Sequence, residues 1–199
     1  VELLHWHWRK GMTMVRTETP LVDSSFQVPG FELPGVDGKT YRLEDVRGAN
    51  GLLVIFMCNH CPYVKAVEDR ILRDVRDLKD YGIGTVAIMS NDPSDYPEDS
   101  FENLKARWEE KAYPMPYLFD ETQEVAKRFG AVCTPDFFGF NADGYLRYRG
   151  RLDASTKETA PPEAERELFE GMRMVAETGE GPAEQTPSMG CSIKWKDAG

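Results

Sequence analysis

The sequence predicts an α/β protein: a mixed central β-sheet flanked by helices on both faces, with an N-terminal β-hairpin extension. Three observations carry this. The apolar run from Leu52 to Met57 shows no alternation, as expected of a strand buried on both faces. Strand-like runs then alternate with helical faces, which implies parallel pairing through right-handed crossovers. Two turn signals, Val36-Asp37-Gly38-Lys39 and Asn141-Ala142-Asp143-Gly144, each mark an antiparallel hairpin.

The 199 residues divide into an arm or upstream extension (1–20), a globular unit (21–180) and a tail (181–199). The arm carries His5, Trp6, His7 and Trp8 but lacks the apolar segment of a secretory signal, and Met12 or Met14 is a candidate start. His5-x-His7 offers two metal-ligand side chains, and a frayed terminus is the plainer reading. Residues 12–30 are polar, with Pro20 and Pro29, and read as a lead-in. Phe31 to Leu43 reads as two strands about the Asp37-Gly38 turn, and Gly48 to Gly51 as a loop before the buried strand. After Cys61 the period changes. Val64, Val67, Ile71, Val75 and Leu78 share one helical face to about Lys79, with Pro62 in the first turn.

Ile83 to Ser90 is the next strand, followed by a polar loop from Asn91 to Ser100. Phe101, Leu104 and Trp108 give a second helical face, and Pro116 to Phe119 a short strand. Asp120-x-x-Gln123 resembles a capping box, opening a helix with Val125 and Phe129 inward and Gly130 at its end. Asp136 to Phe140 and Tyr145 to Arg149 form the second hairpin. Pro161 or Pro162 opens a last helix with Leu168, Met172 and Val175 on one face, closed by Gly179. Gly181 to Pro187 is a polar linker, and Met189 to Trp195 a tail containing Cys191.

The formal charge of −10, without a basic run, excludes nucleic acid and anionic membrane surfaces as partners. The longest apolar run is too short to cross a bilayer. These features predict a cytoplasmic protein. Of the four cysteines, Cys58 and Cys61 form a Cys-x-x-Cys pair, which in a chain of this kind reads as redox or metal chemistry.

A strand leading into Cys58-x-x-Cys61, then a Thr134-Pro135 step before a hairpin, then a final helix: this order resembles the thioredoxin superfamily. The N-terminal hairpin and the long segment before the Thr-Pro step resemble its redoxin branch, which includes peroxiredoxins and TlpA/ResA-type reductases. The strings Cys58-Asn59-His60-Cys61-Pro62-Tyr63-Val64-Lys65, Cys133-Thr134-Pro135-Asp136-Phe137-Phe138 and Gly190-Cys191-Ser192-Ile193-Lys194-Trp195-Lys196 resemble the peroxiredoxin-like AhpC/TSA group. The resemblance spans about residues 22–196. It implies a thioredoxin-like fold, Cys58 as nucleophile and Cys61 as resolving thiol. It also implies a cis Thr134–Pro135 bond that presents the Thr134 backbone to a substrate chain. No cofactor is implied beyond the redox-active disulfide. The implied partners are protein thiols and disulfides, with an electron donor the sequence does not name.

The residues support this chemistry on their own terms. Cys58 is expected at a helix N-terminus, where unpaired N–H groups favour an anion. A thiol of pKa about 8.5 is only about 3% ionised at neutral pH, and a shift to about 6.5 raises that to roughly three-quarters. The two units amount to about 2.7 kcal/mol. A helix dipole supplies roughly 0.3–1 kcal/mol, up to about 2, so another group is expected to help. His60 is the candidate, standing where the oxidant DsbA has its histidine. A protonated ring, or a donor toward Cys58, favours the thiolate and an oxidising dithiol. A solvent-facing imidazole without a role is the alternative.

Leu52 stands where thioredoxins place a buried Asp. Asp136 is then the acid nearest the site, either a proton acceptor for Cys61 or a cap of the hairpin. Cys133 and Cys191 leave three readings open. They are inert buried thiols, or a second disulfide or relay to Cys61, or ligands with Cys58 and Cys61 of a metal or iron–sulfur cluster. No metal is expected, because such a site calls for a second Cys-x-x-Cys pair.

Peroxiredoxin-type peroxidases carry Pro-x-x-x-Thr/Ser-x-x-Cys. Counted back from Cys58, the hydroxyl and proline places hold Ile55 and Gly51; from Cys61 they hold Cys58 and Val54. The motif is absent in both registers. The expected function is therefore a thiol–disulfide oxidoreductase acting on protein partners. A thiol peroxidase and a metal- or partner-binding module are the alternatives. Arg149 and Arg151 either approach the site or are strand-edge charges. The Tyr96–Trp108 region, Phe137 and Phe138 line a docking groove or the core.

Overall fold

In chain order the elements are β1 (Arg16–Glu18), β2 (Glu32–Pro34), β3 (Thr40–Arg42), α1 (Leu43–Val46), β4 (Gly51–Phe56), α2 (Pro62–Lys65), α3 (Glu68–Lys79), β5 (Ile83–Met89), a 3₁₀ turn (Pro97–Asp99), α4 (Phe101–Glu110), β6 (Tyr117–Phe119), α5 (Glu124–Phe129), β7 (Cys133–Thr134), β8 (Asp136–Asn141), β9 (Leu146–Tyr148), α6 (Glu167–Thr178) and β10 (Met189–Ser192). The structure, a computed structural model, describes residues 15–197. The readings on His5, His7, Met12 and Met14 lie outside the described residues.

Every residue of β4 is buried. Successive side chains leave a strand on opposite faces, so one apolar run serves two cores. Leu53 and Ile55 enter one core with Ile71 and Val75 of α3, Leu104 of α4, and Leu168 and Met172 of α6. Leu52, Val54 and Phe56 enter the other with Leu43 and Val46 of α1, and Val125 and Phe129 of α5. Each such side chain contributes about 1.5–3 kcal/mol on burial. β8 pairs antiparallel with β4 from Gly51↔Asn141 to Phe56↔Asp136, and β9 pairs antiparallel with β8. β5 lies along β4, with Met57 N–H donating to Ile88 O (3.0 Å), and β6 pairs parallel with β5. This is the mixed sheet with helices on both faces that the sequence predicts, and β2–β3 is the N-terminal hairpin. No helix among the described residues is long and apolar enough to cross a membrane.

The departures have local causes. The helix expected from Pro62 to Lys79 is two helices, broken at Ala66–Val67, where Val67 adopts φ −122° and ψ 0°. The Ala66 carbonyl accepts from the Thr159 hydroxyl (2.6 Å), and Val67 N–H turns back to Val64 O (3.0 Å). The last helix begins at Glu167, not at Pro161 or Pro162. The Arg70 guanidinium donates to Ala160 O and Pro161 O, and Pro161 O also takes Ala164 N–H (3.0 Å) in a single turn that goes no further. Asp120 does cap α5, accepting from Val125 N–H (3.3 Å) and Ala126 N–H (2.9 Å). Gln123 does not close the capping box. It sits at φ +65°, and its amide bonds to Ser90 O (2.7 Å) and Lys194 O (2.8 Å).

Three short strands, β1, β7 and β10, form where the sequence shows no strand signal. β10 lies between β1 and β7, antiparallel to both, and its register pairs Cys191 with Thr134 on one side and with Arg16 on the other. Gly190 permits this approach: a Cβ there would fall 2.0 Å from Thr134 O. Gly190→Ala is therefore expected to lower stability by roughly 1–3 kcal/mol, the usual cost of overpacking, read as a lower urea midpoint.

Candidate functional site

β4 ends at Phe56, and the chain then turns through Met57–Cys61 before α2 starts at Pro62. Cys61, not Cys58, occupies the position before the helix. Its carbonyl accepts from Val64 N–H (3.1 Å) and Lys65 N–H (3.0 Å), the first bonds of α2. Cys58 lies between strand and helix. The expectation of Cys58 at a helix N-terminus is thus corrected: Pro62 opens the helix one residue after the second thiol.

The sulfurs meet the Thr134–Pro135 step, whose peptide bond is cis. Cys58 Sγ lies 3.4 Å from Thr134 Oγ1, and Cys61 Sγ lies 3.2 Å from Thr134 O. Cys191 Sγ is 2.9 Å from Cys61 Sγ. Cys58, Cys61 and Cys191 are 0%, 0% and 1% exposed. Cys133 belongs to the same sheet, but its sulfur contacts Pro135 O (3.6 Å).

His60 is held from three sides. Its ring stacks on Tyr96 at 3.8 Å between centroids. Its Nδ1 meets Asp99 Oδ2 at 2.5 Å, and its backbone N–H donates to Asp99 Oδ1 (3.1 Å). A carboxylate only accepts, so Nδ1 carries the proton, and in the neutral ring Nε2 is a bare acceptor. Nε2 is buried with no hydrogen-bond partner among the described residues. His60 is therefore not the solvent-facing ring of the alternative reading. A ring nitrogen, the Cys58 sulfur and an Asp99 oxygen lie within 4.8 Å of one another.

Asp99 also accepts from Asn59 N–H (2.8 Å) and Asn91 Nδ2 (3.2 Å). With its oxygens committed to four N–H donors, the trio fits a nucleophile, a base and an orienting carboxylate better than a metal-ligand set. Asp99 and Asn91 escaped the sequence reading. They lie in a polar loop with no motif, and only Ser100, which caps α4 by accepting from Asn103 N–H, marks that place locally.

The thiols share one negative charge unequally. Donation from Cys191 and Cys58 drives the Cys61 thiol down to about 2, against the cost of burial, with the Thr134 hydroxyl and Val64 N–H adding to the pull. Burial and the neighbouring Cys61 push Cys58 up, and donation to Cys61 together with burial pushes Cys191 up. Burial likewise raises Cys133. Of the three sulfurs, Cys61 is the one whose thiolate these contacts favour.

Asp136 is buried, and its carboxylate pairs with Arg149 (3.1 Å) and accepts from Val132 N–H (3.1 Å). Burial pushes it up to about 6 against the pull of the guanidinium. Arg149 also donates to Gly130 O (2.8 Å), and Arg151 forks onto Glu167 (2.6 and 2.9 Å). Both arginines are thus engaged away from the thiols. Phe137 and Phe138 are core residues.

A buried dithiol beside a cis-proline, on a mixed sheet with helices on both faces, defines a thioredoxin-like redox protein. A family model described as Redoxin matches residues 23–168, and the chain belongs to the redoxin family. It is similar to an uncharacterized conserved protein from Geobacillus kaustophilus (44% identity, TM-score 0.87, covering 94% of this chain and 99% of that one). It is also similar to a hypothetical protein from Sinorhizobium meliloti 1021 (31% identity, TM-score 0.86, covering 92% and 100%). An exposed lipoprotein thioredoxin from Streptococcus pneumoniae strain TIGR4 matches at 25% identity and TM-score 0.50, covering 61% and 87%. No curated protein matches the chain.

Two outcomes test the site. At about pH 6 an ordinary thiol is under about 1% ionised. The reduced protein is expected to show one thiolate by ultraviolet absorbance there, lost in Cys61→Ser and titrating higher in Cys191→Ser. Asp99→Ala leaves buried donors without an acceptor and is expected to cost about 3 kcal/mol or more in urea unfolding.

Proposed function

We propose that the protein is a thiol–disulfide oxidoreductase that exchanges disulfides with protein partners through Cys58 and Cys61. The observation that carries this reading is the meeting of both sulfurs with the Thr134–Pro135 step, where Cys61 is favoured as a thiolate. A cleft lined by Tyr63, Val67, Pro135, Phe137 and Met189 lies beside that proline. A Cys-x-x-Cys pair in an acidic chain of this size accords with a cytoplasmic setting.

Cys58 attacks one sulfur of the substrate disulfide and passes its proton to His60 Nε2, while the other substrate sulfur leaves as a thiolate. Asp99 holds the ring for this transfer and stabilises the imidazolium. Cys61, already ionised, then attacks the Cys58 sulfur. The mixed disulfide breaks, Cys58–Cys61 forms, and the second substrate thiolate leaves. The dithiol is oxidised by two electrons and the substrate disulfide is reduced. A peroxidase reading lacks its motif hydroxyl, since Ile55 holds that place, and among the described residues the two candidate arginines are tied elsewhere, Arg149 to Asp136 and Arg151 to Glu167.

The protein is expected to catalyse reduction of insulin by dithiothreitol, and Cys61→Ser to accumulate mixed disulfides at Cys58. Absence of both, alongside rapid peroxide consumption, would overturn the reading. His60→Ala removes the base to which Cys58 passes its proton. It is expected to slow the first exchange step by roughly 10²-fold or more, and to lower the reduction potential measured against glutathione.

A further inference from the structure

We propose that Cys191 is a third exchange thiol: the Cys58–Cys61 disulfide passes on to Cys61–Cys191 and returns Cys58 to the thiol state. The proposal rests on the oxidoreductase reading for the origin of the first disulfide. Its grounds lie in where the backbone places Cys191.

The Cys191 and Cys61 sulfurs are 2.9 Å apart. A disulfide bond is about 2.04 Å, so closure takes less than about 1 Å of movement. The approach is built by strand pairing. Cys191 is the register partner of Thr134, whose carbonyl lies 3.2 Å from the Cys61 sulfur. The segment is fastened on both sides of Cys191. Ser188 Oγ donates to Pro135 O (2.9 Å), Thr19 N–H donates to Ser188 O (2.9 Å), and Ile193 N–H donates to Val132 O (3.2 Å). An inert buried cysteine packs like a small hydrophobe, as Cys133 does with its sulfur toward Pro135 O. Cys191 is instead aimed at a sulfur that the exchange reaction turns into an electrophile.

The step balances without an outside reagent. Cys191 gives up its proton and attacks Cys61 Sγ. The Cys58–Cys61 bond breaks, the Cys61–Cys191 bond forms, and Cys58 leaves as a thiolate that takes the proton. One S–S bond replaces another, with no net oxidation. The chain keeps both oxidising equivalents, and Cys58 faces Thr134 Oγ1 and His60 as a nucleophile again. β10 becomes covalently fastened to the turn before α2.

Oxidation of the full chain with one equivalent of diamide, labelling of the remaining thiols and mass mapping of the peptides test this. Wild type is expected to yield a Cys61–Cys191 linked peptide with the label on Cys58. Cys191→Ser is expected to lose that label, because only Cys58–Cys61 then forms. Cys58→Ser is expected to yield the Cys61–Cys191 link directly. Wild type with Cys58–Cys61 alone and Cys191 labelled overturns the proposal. So does a Cys58→Ser protein that never forms the link, and so does a cluster that diamide leaves fully labelled. Insulin reduction on the same wild-type preparation separates the two readings. The link without insulin turnover refutes the oxidoreductase reading, and turnover without the link refutes the role of Cys191.

Discussion

Asp99 is wholly buried, and a carboxylate taken out of water must find its hydrogen bonds within the protein. It finds four, and each ties down part of the site. Two come from the backbone of Asn59 and His60, which sets the turn between the two thiols. One comes from the His60 ring and fixes which nitrogen carries a proton. The fourth comes from Asn91, whose own Oδ1 accepts from Lys194 N–H (2.9 Å). A single desolvated charge thus connects the Cys-x-x-Cys turn, the base and the C-terminal segment.

Burial also explains why the thiols divide their charge. In a dry pocket one thiolate is tolerated only where several donors converge, and a second beside it is strongly disfavoured. The contacts around Cys61 favour its thiolate, while burial and the neighbouring sulfur hold Cys58 and Cys191 toward the thiol. The Asp136–Arg149 pair answers the same problem below the cis-proline. Its charges are satisfied by each other, by Val132 N–H and by Gly130 O, and the guanidinium lies over the Phe138 ring at 4.2 Å. That pair is a support under the site with no contact to the sulfurs among its hydrogen bonds.

Most of the scaffold was legible because its signals are local. The unalternating run of β4, the Asp-Gly and Asn-x-Asp-Gly turns and the periodic face of α3 each need only their own neighbours to be read. What escaped depends on distant partners. The break between α2 and α3 coincides with the Thr159 contact to Ala66 O, and the segment before α6 is held by Arg70. β1 and β10 are three and four residues long and exist as strands only because each pairs with segments far away in sequence. Of the site, Cys58, Cys61 and the Thr134–Pro135 step were found by motif. Asp99 was invisible, since it is one of four acids in a proline-containing loop, with Asp92, Asp95 and Glu98, and no pattern announces which is buried.

The placement of β10 has a consequence for the order in which the site is assembled. A chain made from its N-terminus presents Cys58, Cys61 and Cys133 before Cys191 exists. Until residues 189–192 emerge, β7 has an unpaired edge and the Cys61 sulfur lacks its contact with Cys191. The nascent protein therefore carries its dithiol without the strand that later covers it. For that interval the pair meets its surroundings as a simpler, two-thiol site, and the last strand to be synthesised converts it into the three-sulfur cluster of the finished fold.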